Sequence, residues 1–277
     1  MRKIVIQGDD WGYSEETNAG IEYAYEHGIL TETTAMVNLL DKNKKSEYRN
    51  RIGGLINKSG LRKPELGIGI HLNVTYGKPI SLNWPQPEFT RPYKGTGKPE
   101  EWIGSAWQMY FSKFTPTQIE DEYRRQIELG MEIFGNIDHL DSHHFSAAYN
   151  PLKQVYKKLA KEYRLAVRPY ASLSEKPVYG GDFIVRKVDI NKIKNAGIKI
   201  ADNYILKLFF NEKDPIKSFL REVDRIDDGK TAEVMFHPAK GQKADNWRII
   251  DLKTLIDKNT LHYLGNKNIQ LITYKDL

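Results

Sequence analysis

The sequence contains no cysteine, which excludes disulfide bonds, thiol catalysis and cysteine metal ligands. It also lacks a run of about 18 apolar residues, the length at which a segment is taken as a candidate membrane span. The N-terminus, MRKIVIQGDD, has too short an apolar stretch for a secretory signal and no small-residue cleavage site. Together these absences predict a cytoplasmic protein with no membrane partner.

Neither sign of charge dominates the chain. Its 42 basic residues face 36 acidic residues, the net charge is +6, and the two signs are mostly interspersed. A nucleic-acid partner is therefore not expected, because binding to phosphates calls for a basic patch rather than a mixed surface. The 277 residues, 40% of them hydrophobic, can bury a large core, and we expect one domain over residues 1–277. The sequence is compatible with a homodimer as well as a monomer.

Short β-forming runs alternate with amphipathic helical patterns along the whole chain. This alternation is typical of parallel strands with crossover helices, and the number of strands favours an α/β fold of the irregular, TIM-like parallel (β/α) barrel type. The expected strands are Lys3–Gln7, Thr33–Leu39, Leu66–His71, Ile137–Asp141, Leu165–Arg168, Asp182–Val185, a short one near Ile198–Ile200, Glu233–His237 and Ile269–Thr273.

One segment, Ser81–Gly104, interrupts the alternation. It is rich in proline and in aromatic residues, including Trp84 and Trp102. A long irregular loop inside a compact domain is usually functional or disordered. We interpret it as an insertion over one end of the barrel, whose aromatic rings either stack on a ligand or pack the loop onto the barrel.

Polar clusters follow four of the expected strands. Because the carboxyl ends of parallel strands converge on one face, these clusters are expected to meet in space and to form a functional site. The clusters are Asp9 and Asp10; His71; His139, Asp141, His143 and His144; and His237.

This set of residue types favours a divalent metal ion held by one carboxylate and two imidazoles, with open positions for water and substrate. Asp10, His71 and one of His143 and His144 could supply the ligands. Adjacent strand residues point to different sides, so the second aspartate would stand free as a general base.

Three further residues have expected roles around that metal. His237 could act as a general acid or bind an oxyanion, or could instead be a fourth ligand. His139 and Asp141 suit positions behind the ligands, where they would orient the ligand imidazoles through the other ring nitrogen.

Four motifs then resemble the YdjC/ChbG family of carbohydrate deacetylases, whose best-known activity is deacetylation of chitin disaccharides. The match covers the chain end to end and in the same order. The motifs are GDDWGYS, GIHLNVTYGKP, DHLDSHHFSA and EVMFHPA. Three departures from the family patterns bear on the substrate more than on the chemistry: the missing later histidine in HHFSA, QG in place of NA before the aspartates, and Trp11 in place of phenylalanine.

The resemblance implies an irregular (β/α) barrel and a metal triad of Asp10, His71 and His143, with Asp9 as base and His237 as acid. It implies magnesium or zinc, although two imidazoles and one carboxylate suit a transition metal better than magnesium. The substrate would be a short acetylated oligosaccharide. Weaker substrate or supporting roles fall on His139, Asp141, His144, Arg168 and Asp202.

Other functions compete with this interpretation. A glycosidase on the same barrel would use two carboxylates and would not need the histidines. An iron oxygenase uses the same ligand set, although its fold would differ. A sugar-binding protein without activity would not need Asp9.

Overall fold

The computed structural model describes residues 1–91, 105–168, 187–205, 207–267 and 269–277. Eight parallel strands form one curled sheet in the order β5-β4-β3-β2-β1-β7-β6, and β8 pairs with β1 beside that path. The strands are β1 Arg2–Trp11, β2 Glu32–Ala35, β3 Gly67–Leu72, β4 His139–Ser142, β5 Ala166–Val167, β6 Asn203–Ile205, β7 Thr231–Phe236 and β8 Ile269–Leu271.

The helices follow the strands, and capping side chains stabilise the starts of two of them. Ser14 accepts a hydrogen bond from the Thr17 amide, and Thr115 forms a capping box with Gln118 ahead of Pro116. The helices are α1 Glu15–His27, α2 Lys45–Gly53, α3 Ser105–Phe111, α4 Pro116–Phe134, α5 Leu152–Tyr163, α6 Lys187–Asn195, α7 Pro215–Asp224, α8 Asn246–Ile256 and α9 Lys258–Asn266. Each helix in these ranges is too short or too polar to cross a bilayer.

The sheet is a parallel half-barrel, and a complete TIM barrel is not formed by the described strands. The edge strands β5 and β6 do not pair within the described ranges. The Val167 amide of β5 donates a backbone hydrogen bond to the carbonyl of Lys199, in the segment that precedes β6. The curl nevertheless brings the carboxyl ends of the strands together, as the alternation predicts.

Two expected strands differ from the structure, and a third cannot be compared. The run from Thr33 ends as a strand at Ala35 and continues as a 3-10 turn over Val37–Leu39. Residues 198–200 belong to no strand, and the strand forms at Asn203–Ile205, where it pairs with β7. The expected strand Asp182–Val185 lies outside the described residues.

Part of the proline-rich loop packs against the core. Trp84 is 6% exposed, stacks on Phe114 at a ring-centroid distance of 4.6 Å and meets Phe89 edge-on. Burial of this kind stabilises the loop and removes Trp84 from any sugar-stacking surface. Trp102 lies outside the described residues.

Candidate active site

The first strand ends in a bulge that brings two adjacent carboxylates into one site. Gly8 pairs with Thr33 but Trp11 pairs with Ala35, so β1 uses three residues where β2 uses two. Asp10, inside the bulge, has a φ of 75°. This left-handed conformation costs a non-glycine residue roughly 1–2 kcal/mol and is often found at functional sites. The alternation expected for a regular strand is therefore lost here, because the bulge redirects the backbone.

One oxygen of Asp10 faces two imidazole nitrogens. Asp10 Oδ1 lies 3.2 Å from His71 Nε2 and 3.8 Å from His143 Nε2, yet it accepts no hydrogen bond from the described residues. The other oxygen accepts a hydrogen bond from Arg248 Nη2 at 2.6 Å. A buried carboxylate oxygen that meets two ring nitrogens without a hydrogen bond is an arrangement that fits a shared cation.

His71 is oriented from behind. Its Nδ1 lies 2.5 Å from Asp141 Oδ1, and the Thr34 hydroxyl donates to the other oxygen of Asp141. Burial disfavours the imidazolium, but Asp141 and Asp10 outweigh it and raise the pKa of His71 to about 10. Without a metal, His71 therefore carries the positive charge that these carboxylates need. Asp141 fixes the ring so that Nε2 points to Asp10.

The neighbouring histidines share one hydroxyl. Thr75 Oγ1 lies 2.9 Å from His143 Nδ1 and 3.1 Å from His144 Nδ1. Burial, together with the adjacent His144, holds the pKa of His143 well below its usual range. Burial also lowers the pKa of His144 to about 3. Both rings are therefore neutral at pH 7, the form in which an imidazole binds a metal.

Asp9 is held by an arginine. Arg168 donates to both Asp9 oxygens, at 2.6 and 2.7 Å, and also contacts Asp141 Oδ2 at 2.9 Å and Glu233 Oε1 at 2.5 Å. Arg168 is 3% exposed and supplies a buried counter-charge to these carboxylates, which corresponds to the supporting role among the two expected for it. The two aspartates thus differ: Asp9 is fixed by a bidentate pair, whereas Asp10 keeps one oxygen toward the imidazoles.

His237 approaches Asp9 from the next strand end. Its Nε2 lies 3.8 Å from Asp9 Oδ2, and its side chain is 18% exposed, which leaves it open to a substrate. Its backbone amide donates to Asp251 Oδ2 at 2.9 Å. Burial lowers the pKa of His237, although Asp9 and Asp10 oppose that shift. The ring is therefore neutral until it receives a proton.

Sequence reasoning missed two residues on α8. Arg248 binds Asp10, and Asp251 accepts the hydrogen bond from the His237 amide. Burial raises the pKa of Asp251 to about 7. Both are buried, three residues apart in NWRIIDLKTLI. Two opposite charges at this spacing on the apolar side of a helix are a signal that could have identified them.

Two residues expected near the site lie elsewhere. His139 is the first residue of β4, stacks on Tyr274 and bonds to Asp138, so it does not support a ligand imidazole of this site. Asp202 pairs with Lys194 and accepts hydrogen bonds from Thr231, the first residue of β7. Both therefore belong to the amino ends of the strands, opposite the candidate site.

At this end of the sheet, the described trio whose ligand atoms all lie within 4.8 Å of one another is Asp9, His71 and Asp141. Arg168 already pairs with both of these carboxylates, and Asp141 faces the Nδ1 side of His71. A cation there would have to displace the guanidinium, so the Asp10 side is the better position. We call Asp9, Asp10, His71 and His143 the carboxyl-end cluster.

A curled parallel sheet with a polar cluster at the carboxyl ends of its strands is the arrangement typical of α/β enzymes. The sequence profile of the YdjC-like protein family matches residues 3–266, and the chain belongs to that family. A carbohydrate deacetylase of Brevibacillus brevis is 28% identical, with 99% of each chain covered. A chitooligosaccharide deacetylase of Proteus mirabilis is 27% identical, covering 99% of this chain and 98% of its own.

A solved structure has the same fold. The crystal structure of a candidate cellobiose-phosphate cleavage protein from Enterococcus faecalis V583 matches with a TM-score of 0.70 at 23% identity. The match covers 99% of this chain and 98% of that one. The curled parallel sheet is therefore shared over the full length of both chains.

Proposed function

We propose that the protein is a metal-dependent hydrolase that removes N-acetyl groups from acetylated amino sugars. Short chitooligosaccharides such as N,N′-diacetylchitobiose are the proposed substrates, with acetate as a product. The observation that carries the proposal is the buried Asp10 Oδ1, which faces the Nε2 atoms of His71 and His143 beside a second carboxylate. The names of the relatives, carbohydrate and chitooligosaccharide deacetylases, support the substrate class.

Asp10, His71 and His143 would hold the metal. Two imidazoles and one carboxylate suit zinc or another transition metal, whereas magnesium prefers oxygen ligands. When bound, such an ion polarises a carbonyl oxygen and lowers the pKa of a water molecule. Arg248, on the other oxygen of Asp10, keeps this carboxylate turned so that Oδ1 faces the imidazoles.

The remaining groups would move protons. Asp9, held in place by Arg168, is positioned as the base that takes a proton from the attacking water. His237 Nε2, 3.8 Å from Asp9 Oδ2, can receive that proton and deliver it to the leaving nitrogen. The C–N bond breaks as the amine is protonated, and the water oxygen remains in acetate. Neutral His237 at rest is consistent with this order of transfers.

Two exposed tyrosines could bind the sugar. Tyr13 and Tyr76 follow β1 and β3, are 37% and 38% exposed, and their ring centroids lie 5.1 Å apart. Arg248 lies over the Tyr13 ring at 5.3 Å, which connects this pair to the carboxyl-end cluster. Aromatic faces at the rim of such a site are suited to the apolar face of a pyranose.

Acetate release from N,N′-diacetylchitobiose by metal-reconstituted protein tests the proposal. Activity should disappear on chelation, return with a divalent ion, and be lost in Asp9→Asn, which keeps the size of the side chain but not its basicity. Release of N-acetylglucosamine without acetate would indicate a glycosidase instead. Sugar binding that is unchanged in Asp9→Asn, with no acetate from either protein under any divalent ion, would indicate a binding protein.

A further inference from the structure

A second group of carboxylates and imidazole lies at the opposite end of the sheet. Glu32 begins β2, His139 begins β4, and Asp138 directly precedes it. We call these three residues the amino-end cluster. His139 Nδ1 lies 2.7 Å from Asp138 Oδ1 and 3.8 Å from Glu32 Oε2. The side chains of Glu32 and His139 are fully buried and that of Asp138 is 4% exposed.

Two glycines make room for this cluster. Strand β3 lies between β2 and β4, and Gly67 and Gly69 occupy alternate positions on it. A Cβ at Gly67 would lie 2.2 Å from both oxygens of Glu32, and a Cβ at Gly69 would lie 2.5 Å from His139 Nδ1. Side chains from the outer two strands can therefore meet across β3 only because the middle strand has none there.

Among the described residues, His139 is the only basic side chain within ion-pair distance of these two carboxylates. Glu32 Oε2 and Asp138 Oδ2 accept no hydrogen bond, and neither carboxylate pairs with a Lys or Arg within the described ranges. The other Glu32 oxygen accepts a hydrogen bond from the Tyr274 amide at 2.7 Å. Burial, with Asp138 nearby, raises the pKa of Glu32 well above its usual range. Two buried carboxylates of this kind are costly unless a cation or protons neutralise them.

We propose that the amino-end cluster binds a divalent transition-metal ion, with Glu32, Asp138 and His139 as ligands. A dication would neutralise the two carboxylates, and Glu32 Oε2, which accepts no hydrogen bond, lies close enough to His139 Nδ1 for both to bind one ion. One imidazole with two carboxylates suits Mn²⁺ or Zn²⁺ better than magnesium or copper. Thr34 and Asp141, which contact each other beside His71, lie two residues further along β2 and β4 than Glu32 and His139. The two clusters are therefore separated by about 7 Å along each strand.

The ion would stabilise the fold and take no part in the reaction. Tyr274 covers the cluster by stacking on His139 at a ring-centroid distance of 3.9 Å, so no substrate reaches it. The amino ends of the strands in such folds contribute stability, whereas the carboxyl ends carry the chemistry. The ion ties β2 to β4 across the glycines of β3.

Metal stoichiometry in the full-length protein tests this site independently of the proposed activity. Apo protein is loaded with Zn²⁺ or Mn²⁺, freed of excess ion and analysed for bound metal. The parent is expected to hold two ions per chain, Asp10→Asn one, Glu32→Gln one, and the double variant none. An Asp10→Asn protein that binds no ion overturns the proposal and indicates that Glu32 is instead neutralised by a proton. One ion remaining in the double variant also overturns it.

Thermal unfolding of Asp10→Asn gives a second measurement. Saturation with the ion should raise its Tm by roughly 5 °C, because the ion binds only the folded cluster. Gly67→Ala is added to Asp10→Asn; it retains all three ligands but displaces the Glu32 carboxyl group. The ion should then no longer raise the Tm. Gly53→Ala, where a Cβ meets nothing, is the matched control and should keep the rise. An equal rise in both glycine variants contradicts the site, as does no rise in Asp10→Asn.

Discussion

The two ends of the half-barrel carry similar side chains in opposite surroundings. At the carboxyl ends, arginines hold the carboxylates and His237 reaches solvent. At the amino ends, the Glu32 and His139 side chains are completely buried, and Glu32 forms no salt bridge with an arginine of the described residues. The backbone differs as well, since a bulged aspartate with positive φ builds the first site and glycines open space for the second.

This difference shows how one set of residue types can serve two purposes. The carboxyl-end cluster adjoins the partly exposed His237 and has a strained backbone at Asp10, so it can bind and release a ligand. A sealed cluster can only be neutralised and held. Surroundings, more than the identity of the ligand residues, therefore separate a candidate catalytic site from a candidate structural one.

The largest expected difference between the two ends is in activity. Asp10→Asn should reduce acetate release by at least about 10³-fold, because it weakens the metal that polarises the carbonyl. Asp138→Asn is the matched change in the amino-end cluster and should leave the activity of the folded protein unchanged. Initial rates with saturating metal, with folding checked by circular dichroism, measure both. Equal losses in the two variants would remove the functional distinction between the ends.

The next comparison concerns the counter-charge. Arg168→Met leaves Asp9, Asp141 and Glu233 buried without their shared cation, so the free energy of unfolding should fall by about 3–5 kcal/mol. The control Arg124→Met removes a more exposed arginine that pairs with Glu120 and Glu162, and it should cost much less. Urea denaturation gives both values. Similar losses of unfolding free energy in the two variants would show that burial does not determine how much each arginine contributes.

A smaller effect is expected from a hydroxyl behind the ligands. Thr75→Val removes the oxygen that contacts the Nδ1 atoms of His143 and His144, and metal affinity should fall about 10–100-fold. Thr260→Val is the control, because the Thr260 hydroxyl is buried in α9 and makes no hydrogen bond to the described residues. Competition with a chromophoric chelator measures affinity. Unchanged affinity in Thr75→Val would mean that Thr75 does not orient the ligand.

The smallest expected effect is a pH dependence. Burial raises the pKa of Asp251 to about 7 in the folded protein, whereas the unfolded value is near 4. The folded state therefore favours protonated Asp251, and this contribution to stability is full below pH 4 and is lost as the pH rises through 7. In metal-free protein the loss should be at least about 1 kcal/mol.

Asp251→Asn, which still offers an oxygen to the His237 amide, should lack this part of the pH dependence. Urea midpoints of both proteins from pH 4 to 8 in a chelator make the measurement. Parallel curves would show that Asp251 does not titrate in this range.

Local patterns predicted much of the fold. The helical spacing of apolar residues in α4 and α5 is visible in the sequence, and Ser14 and Thr115, residue types that favour helix starts, do cap α1 and α4. The expectation of a complete barrel exceeded what the described strands form, because alternation shows that strands are parallel but not whether the last two edges join. The strand expected near Ile198 forms instead at Asn203–Ile205, because pairing with β7 determines which residues of this segment join the sheet.

The sequence alone determined that the polar motifs follow strands and meet at one end of a parallel sheet, because strand direction fixes that end. Residue spacing left the two adjacent aspartates equivalent, and only the family resemblance assigned Asp10 to the metal and Asp9 to the base. The tertiary structure separates them: the bulge turns both inward, Arg168 occupies both oxygens of Asp9, and Asp10 keeps Oδ1 toward the imidazoles. It also decided that His139 belongs to the amino-end cluster, because contacts between residues distant in the chain depend on strand register and on space that neighbouring glycines leave.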